Sequence, residues 1–386
     1  MVRVGGAEDD ALIVCFPFRG GTVAGSHLST LLLAEGLENC GVHVLLTVHT
    51  EGLLTDELAR RGLRWEVVPA AGSSWSNGPV AQSLTIARDS PRLARFLRQR
   101  RVDVVHTNDS RMHRLWGVAA HLARCRHVWH QRSLGLSRSM TMLARRADEV
   151  IVISDYSRSK LPPSLRSSAR LIANPFDVEA SPPYRSNARR VLAEELRLPE
   201  TRAIVAFVSN SQQLRKRPEF FLEVAHQLVT FHGLEAAFPL IGLQRSDLAD
   251  RIRRKIDSLG LRDHCRSIGP RFPIEPTLAG CDVLIAPAVE EPMGRTLIEA
   301  MLVGTPVVAA NDGGHAELID ELETGFLFEP DDVAGCANSV LRLLEDAALR
   351  KSVTERARDM ARRRFSVDRH VTEVRRLYES SMGRAK

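Results

Sequence analysis

The sequence predicts an α/β protein made of two doubly wound parallel sheets, and three observations point there. Short apolar runs alternate with helix-like stretches along the chain, the pattern of strand–helix–strand units. The runs fall into two series, separated by the proline- and turn-rich segment Asn174-Pro-Phe-Asp-Val-Glu-Ala-Ser-Pro-Pro-Tyr184. At 386 residues the chain is long enough for two domains that each bury a core.

In the first series, strands are expected at Ala11 to Phe16, Val42 to Val48, Trp65 to Val68, Val102 to His106, His127 to His130, Glu149 to Ile153 and Arg170 to Ile172. The second series places them at Ala203 to Val208, Ala236 to Ile241, Cys265 to Ile268, Val283 to Ala286, Pro306 to Ala309 and Gly325 to Phe328. The boundary falls within about ten residues of Pro183, which gives domains of residues 1–180 and 181–364. Beyond Pro330 the pattern turns helical, and Ser366 to Met382 reads as a final amphipathic helix. No internal repeat or low-complexity tract interrupts this order.

Apolar residues make up 44% of the chain and charged residues 26%, and no run approaches about 18 uninterrupted apolar residues, so no membrane-spanning helix is expected. The opening Met-Val-Arg-Val-Gly-Gly-Ala-Glu-Asp-Asp10 is acidic where a signal peptide would be apolar, so the protein is expected in the cytoplasm. Cys15, Cys40, Cys125, Cys265, Cys281 and Cys336 show no Cys-x-x-Cys or metal-ligand spacing and read as buried free thiols.

The net charge of +6 leaves acidic partners open. Arginines gather in Pro91-Arg-Leu-Ala-Arg-Phe-Leu-Arg-Gln-Arg-Arg101 and at 111, 114, 124, 126, 132, 138, 145 and 146. They read either as an ordinary solvated surface or as a peripheral contact with an acidic acceptor or the inner membrane face. Only five of the 53 basic residues are lysine, a bias that gene base composition also explains. Nucleic acid is disfavoured, because aromatic residues are sparse and no binding module is recognisable.

The most informative stretch is Pro287-Ala-Val-Glu-Glu291-Pro-Met-Gly-Arg-Thr-Leu-Ile-Glu299-Ala-Met-Leu-Val-Gly-Thr-Pro-Val-Val-Ala-Ala310. A short buried strand leads into a loop, and a helix is expected from Gly294 to Val303, stopped by Gly304 and Pro306. The backbone N–H groups of Gly294, Arg295 and Thr296 are then unpaired donors at the positive end of a helix dipole, a seat for phosphate. Glu299 lies about 7 to 8 Å further along the axis at about 1.5 Å per residue. A diphosphate seated there has one carboxylate on each side, Glu299 near a ribose and Glu291 near whatever the distal phosphate carries. Taken alone, Glu291 also reads as favourable charge at a helix start, and Glu299 as an exposed helical residue.

This stretch, with its continuation through Asn311-Asp-Gly-Gly-His315-Ala-Glu317-Leu-Ile, resembles the E-x7-E element of retaining glycosyltransferases of family 4 type (glycosyl transferases group 1). The resemblance implies the GT-B fold, two Rossmann-like domains facing a central cleft, and a C-terminal helix, here residues 365–386, that packs back on the first domain. It also implies roles for individual residues. Gly20 and Gly21, after the first strand, match the glycine-rich loop that faces the donor diphosphate and acceptor; alone they read as a tight strand-to-helix turn or as an open edge that lets a ligand reach the backbone. The same loop is not a P-loop, since Ser26 stands where the lysine belongs and His27 where the hydroxyl belongs.

Lys216 matches the diphosphate-binding lysine, and its tip can act as a point charge on phosphate oxygens; taken alone it also reads as a solvated loop residue. The family's arginine before it has no clear counterpart: Asn210 or Ser211 occupies its place, Arg215 is the substitute within reach, and Pro218 stands where glycine is common. His130 resembles the histidine that contacts the donor sugar near the reacting carbon, while a lone histidine also reads as structural. Asn108, at the end of the preceding strand, is a candidate for the acceptor side. His315 and Glu317 are expected to orient second-domain loops, and Glu317 reads equally as a cap for the next helix.

No Ser-His-Asp, Cys-His, Asp-x-Asp or histidine-pair arrangement is recognisable, so neither a protein nucleophile, a metal nor another cofactor is expected. The expectation is metal-independent sugar transfer with retention, from a nucleoside diphosphate sugar (UDP- or GDP-linked) to a hydroxyl of an unidentified saccharide, lipid-linked or small-molecule acceptor. Glu291, His130 and Lys216 would serve the chemistry, and Gly20, Gly21, Asn210, Arg215, Lys216, Gly294, Arg295, Thr296 and Glu299 would hold the donor. The rivals are a sugar-nucleotide epimerase on the same fold and a non-catalytic sugar-nucleotide-binding subunit.

Overall fold

The computed structural model describes residues 12–70, 79–209, 214–243 and 247–382. Asn210 and Ser211, and nearly all of the Ala70 to Val80 loop, lie outside the described residues. The chain divides into two compact units, one of residues 1–177 with 365–386 and one of residues 178–364.

The first unit holds β1 (Ile13–Phe18), β2 (His43–Val48), β3 (Trp65–Val67), β4 (Val104–Thr107), β5 (Arg126–Gln131), β6 (Glu149–Val152) and β7 (Arg170–Leu171). They form one sheet in the order β3-β2-β1-β4-β5-β6-β7, with every described pairing parallel. Helices connect most neighbouring strands, as parallel pairing demands. Strand β1 runs two residues past its expected end, through Pro17 to Phe18. Pairing with β2 continues there, whereas β4 pairs only with Val14 and Cys15, so the missing proline N–H is tolerated.

The core of this unit joins Phe16, Phe18, Leu31, Leu37, Leu46 and Val128 to Val371, Val374, Leu377 and Tyr378 of the final helix Val367–Met382. Gly36 on the helix Gly25–Asn39 makes that approach close, since a Cβ there would stand 2.5 Å from Val371 Cγ2.

A polar layer is enclosed beside that core. Tyr378 Oη lies 2.6 Å from His106 Nδ1, His106 Nε2 lies 3.1 Å from His130 Nδ1, and Arg132 Nη2 reaches His130 Nδ1 at 3.3 Å. Because the guanidinium can only donate, His130 Nδ1 accepts; His106 then carries its proton on Nε2, and the Tyr378 hydroxyl donates to His106. His370 donates through Nδ1 to the carbonyl of Ala173 at 2.7 Å. Beside this chain, the Thr107 hydroxyl lies 2.6 Å from His113 Nδ1 and 2.8 Å from His127 Nε2, and the His113 ring stacks on Trp129 at 4.0 Å.

The second unit holds β8 (Ala203–Val208), β9 (Ala236–Ile241), β10 (Cys265–Ile268), β11 (Val283–Ala286), β12 (Val307–Ala310) and β13 (Phe326–Phe328). The order β10-β9-β8-β11-β12-β13, again with every described pairing parallel, is that of a dinucleotide-binding Rossmann sheet. Its core gathers Phe207, Phe220, Phe221, Phe238, Phe326 and Phe328. All six cysteines are free thiols; Cys15, Cys265, Cys281 and Cys336 are buried, but Cys40, just past the end of a helix, is exposed, contrary to expectation.

Two stability measurements follow from the polar layer. Tyr378→Phe leaves the buried His106 Nδ1 without its donor and should cost about 1–3 kcal/mol in denaturant unfolding of the full chain; an unchanged midpoint would discount the bond. Burial, the largest cause, lowers the pKa of His127 to about 4 and of His370 to about 3, and pushes His106, His113 and His130 well below the usual value. The unfolded chain takes up these protons near pH 6.5 and the folded chain does not, so stability is complete above about 6.5 and falls as pH drops towards 4. The melting temperature should fall steeply through that window, and a flat profile down to pH 4.5 would contradict neutral burial.

Candidate active site at the strand-order reversal

In a doubly wound sheet the connections leave in opposite directions where the strand order reverses, which opens a crevice at the carboxyl ends of the two strands involved. In the second unit that place lies between β8 and β11. The loop after β8 carries Arg215 and Lys216 in a single 3-10 turn, Leu214–Lys216. Arg217 follows in the left-handed region at φ 55°, and Pro218 opens the helix Pro218–His232, where the lost N–H has no helical partner to lose. This geometry explains the proline that replaces the common glycine.

The loop after β11 carries Glu291 and is tied down at three points. The Val289 N–H donates to the carbonyl of Arg215 at 3.1 Å, the Glu290 N–H donates to Asp312 Oδ1 at 2.5 Å, and the Glu291 carbonyl accepts from the Gly314 N–H at 2.8 Å. Gly314 has no alternative, because a Cβ would stand 2.6 Å from the Met293 Cα. The helix Arg295–Val303 then starts from Gly294 at φ 96°, an N-cap with no side chain to offer its first N–H groups.

The side chains close the arrangement. Glu291, 9% exposed, meets Arg215 Nη1 at 2.8 Å and Lys216 Nζ at 2.9 Å through the same oxygen, Oε2. Burial works to raise the Glu291 carboxyl, but Lys216 and Arg215 outweigh it and leave the pKa below the usual value. One turn into that helix, Glu299 pairs with Arg295 at 3.0 Å with its side chain 12% exposed, so it is not the exposed helical residue of the alternative reading. Burial raises its pKa, and Arg295 offsets only part of that. Lys216, Gly294, Thr296 and His315 line one small cleft with Val208 and Ala288. His315, whose pKa burial lowers to about 4, keeps Nδ1 buried without a hydrogen-bond partner. Glu317 lies in the short helix Gly313–Leu318, and its carbonyl accepts from Arg364 Nη1 at 3.0 Å. Thus Arg215, Lys216, Glu291, Gly294 and Thr296 come together. Their partner Asp312, which anchors Glu290, was not singled out from sequence; an aspartate before two glycines is too common a turn signal.

In the first unit the order reverses between β1 and β4, and Gly20, Gly21 and Asn108 follow those strands. Gly20 answers a packing need: φ is 103°, and a Cβ would come 1.7 Å from the Thr50 carbonyl oxygen. Gly21 is exposed and borders open space. His27 caps its own helix, its Nδ1 accepting from the Ala24 N–H at 3.0 Å. Asn108 is buried, and its carbonyl accepts from Arg132 Nε at 2.9 Å, so its amide is committed inside the unit rather than lining an open surface. His130 ends β5 fully buried, with Nε2 unpartnered. Arg132, which bonds Asn108, Asn174 and His130, was missed from sequence, because one arginine in an arginine-rich region carries no signal.

Among known proteins, residues 24–176 match the family described as glycosyl transferase 4-like domain, and residues 189–360 match glycosyl transferases group 1. A D-inositol 3-phosphate glycosyltransferase of Salinispora arenicola is 32% identical over 202 residues, covering 50% of this chain and 45% of the relative. An N-acetyl-alpha-D-glucosaminyl L-malate synthase of Bacillus anthracis is 27% identical over 187 residues, 48% of each chain. The chain thus spans about half the length of the curated relatives it matches. Of solved structures, Anabaena HepE in complex with UDP and glucose superposes with a TM-score of 0.79 at 23% identity, over 95% of this chain and 99% of that one. A glycosyltransferase from Rickettsia africae superposes at 0.81 and 18% identity, over 97% and 99%. These likenesses, with the two Rossmann-type strand orders, establish the GT-B fold. With its two matched domains and this fold, the chain belongs to the glycosyl transferases group 1 family, of the family 4 type.

Proposed function

We propose that the protein is a retaining glycosyltransferase that moves a sugar from a UDP- or GDP-sugar to an acceptor hydroxyl without a metal ion. The observation that carries this reading is one cleft lined by Lys216 and by Gly294 and Thr296 of an uncapped helix start, with Lys216 sharing Glu291 Oε2 with Arg215. A diphosphate seated on the N–H groups of Arg295 and Thr296 meets positive charge from the helix dipole and Lys216, the compensation that a divalent cation supplies elsewhere.

In the reaction the bond from the anomeric carbon to the phosphate oxygen breaks, and a bond from that carbon to the acceptor oxygen forms on the same face. The departing phosphate takes the acceptor's proton. Lys216 and the helix start stabilise the charge that grows on the leaving oxygen, Glu291 accepts hydrogen bonds from sugar hydroxyls, and Glu299 accepts from the ribose. The assignment of His130 to the sugar rests on resemblance to the family.

We place the reaction in the cytoplasm, with arginines of the first unit as the surface for an acidic acceptor or lipid headgroups. Arg92, Arg95 and Arg98 are exposed on the helix Pro79–Gln99. Among the described residues no helix is long and apolar enough to cross a membrane.

The first test is a thermal-shift screen of UDP, GDP, ADP and dTDP sugars, in which the true donor raises the melting temperature. Incubation of that donor with and without acceptors, with the product anomer read by NMR, separates transfer from epimerisation, and turnover should persist in EDTA. Lys216→Ala should lower kcat by about 10²-fold. Glu299→Ala should instead raise the donor KM about ten- to hundredfold while leaving kcat nearly intact. Normal turnover in Lys216→Ala would remove the phosphate role.

A further inference from the structure

We infer that Glu291 is a built-in counter-ion that makes the site prefer the sugar-bearing nucleotide to the bare nucleoside diphosphate. The inference rests on the donor site proposed above and adds a physical cause for telling donor from product.

Two cations beside the helix start, Arg215 and Lys216, already meet Glu291 Oε2, at 2.8 and 2.9 Å. The carboxylate cannot leave by a main-chain swing. Its loop is held by Val289 on Arg215, by Glu290 on Asp312 and by the Glu291 carbonyl on Gly314, and Gly314 packs directly on the Met293 backbone. A phosphate that approaches Lys216 and the helix start must therefore share or take these cations from a carboxylate whose backbone is anchored beside them. Two anions then compete for the same positive charge, and a largely buried carboxylate loses compensation, an expensive state in a desolvated site.

A bare nucleoside diphosphate offers Glu291 nothing in return, because at neutral pH its phosphates are acceptors without hydrogens to donate. A nucleotide sugar carries hydroxyls on the distal side, and these donate charge-assisted hydrogen bonds that satisfy the carboxylate again. The sugar thus restores what the phosphate removes, and the balance tips back once the sugar has been transferred. Glu291 thereby favours release of the nucleoside diphosphate product and limits its competition with fresh donor.

Calorimetry on the full chain tests this with UDP, GDP, ADP and dTDP beside UDP-glucose, GDP-mannose, ADP-glucose and dTDP-glucose. In the wild type the sugar nucleotide should bind more tightly than its own diphosphate. Glu291→Gln, which keeps the shape and removes the charge, should bind the bare diphosphate about tenfold more tightly than the wild type and should gain nothing for the sugar nucleotide. Glu291→Asp, which keeps the charge, should retain the weak diphosphate binding. Equal diphosphate affinity in the wild type and Glu291→Gln overturns the inference while the donor site stands. A wild type that holds the diphosphate as tightly as the sugar form overturns it too, whether or not the variants fold. Absence of binding by every nucleotide and sugar nucleotide overturns both the inference and the donor site.

Discussion

A parallel sheet whose strand order reverses leaves one gap where neighbouring connections depart to opposite faces, and the second unit is organised around that gap between β8 and β11. The strands there are buried, and the irregular loop after β11 is held in position by its own backbone hydrogen bonds. One loop brings the paired cations Arg215 and Lys216; the other brings Glu291 and then starts a helix with an uncapped amino end. Charge, dipole and backbone donors converge because two strand ends are adjacent, although the segments are far apart in the chain. The glycines serve the same constraint: Gly314 allows the Glu291 loop to lie against the backbone, and Gly294 takes a positive φ where the loop turns into the helix.

The two glutamates of the element show how environment separates chemically identical groups. Glu291 sits among cations that overcome its burial and keep it ionised, whereas Glu299 is enclosed with a single arginine that does not fully compensate. The first is suited to accept strong hydrogen bonds from a neutral, hydroxyl-rich group. The second is held by Arg295 at 3.0 Å while burial raises its pKa. His315, held neutral beside them by burial, adds polarity to the cleft without adding charge.

The first unit handles its polar residues differently. Its histidines lie in a desolvated layer, and a fixed direction of hydrogen bonding runs from Tyr378 through His106 to His130, set by the guanidinium of Arg132. The final helix takes part in this layer as well as in the apolar core, through Tyr378 and His370. Its attachment therefore rests on these polar bonds as well as on apolar area.

The strands, the helix after Glu291 and the break near Pro183 were legible in the sequence because each is a local property: a run of apolar residues, a helical period stopped by glycine and proline, a cluster of turn formers. The proposed phosphate seat could be read from the sequence for the same reason, since loop, helix start and both acids lie within one continuous segment. What the sequence left open depended on residues brought together from a distance. Arg215 and Glu291 are 76 positions apart, and only the folded sheet makes the arginine a partner of the acid. His106 and Tyr378 are 272 positions apart. Burial was equally hidden: a strand end marks His130 and Asn108 as neighbours of a ligand edge, but whether a side chain at that edge faces outward or is roofed by Arg132 and the final helix is set by packing. Chain order alone determined which segments become strands, helices and turns; tertiary structure decided which charges neutralise one another, because Coulomb and desolvation energies depend on distance in space and not on distance along the backbone.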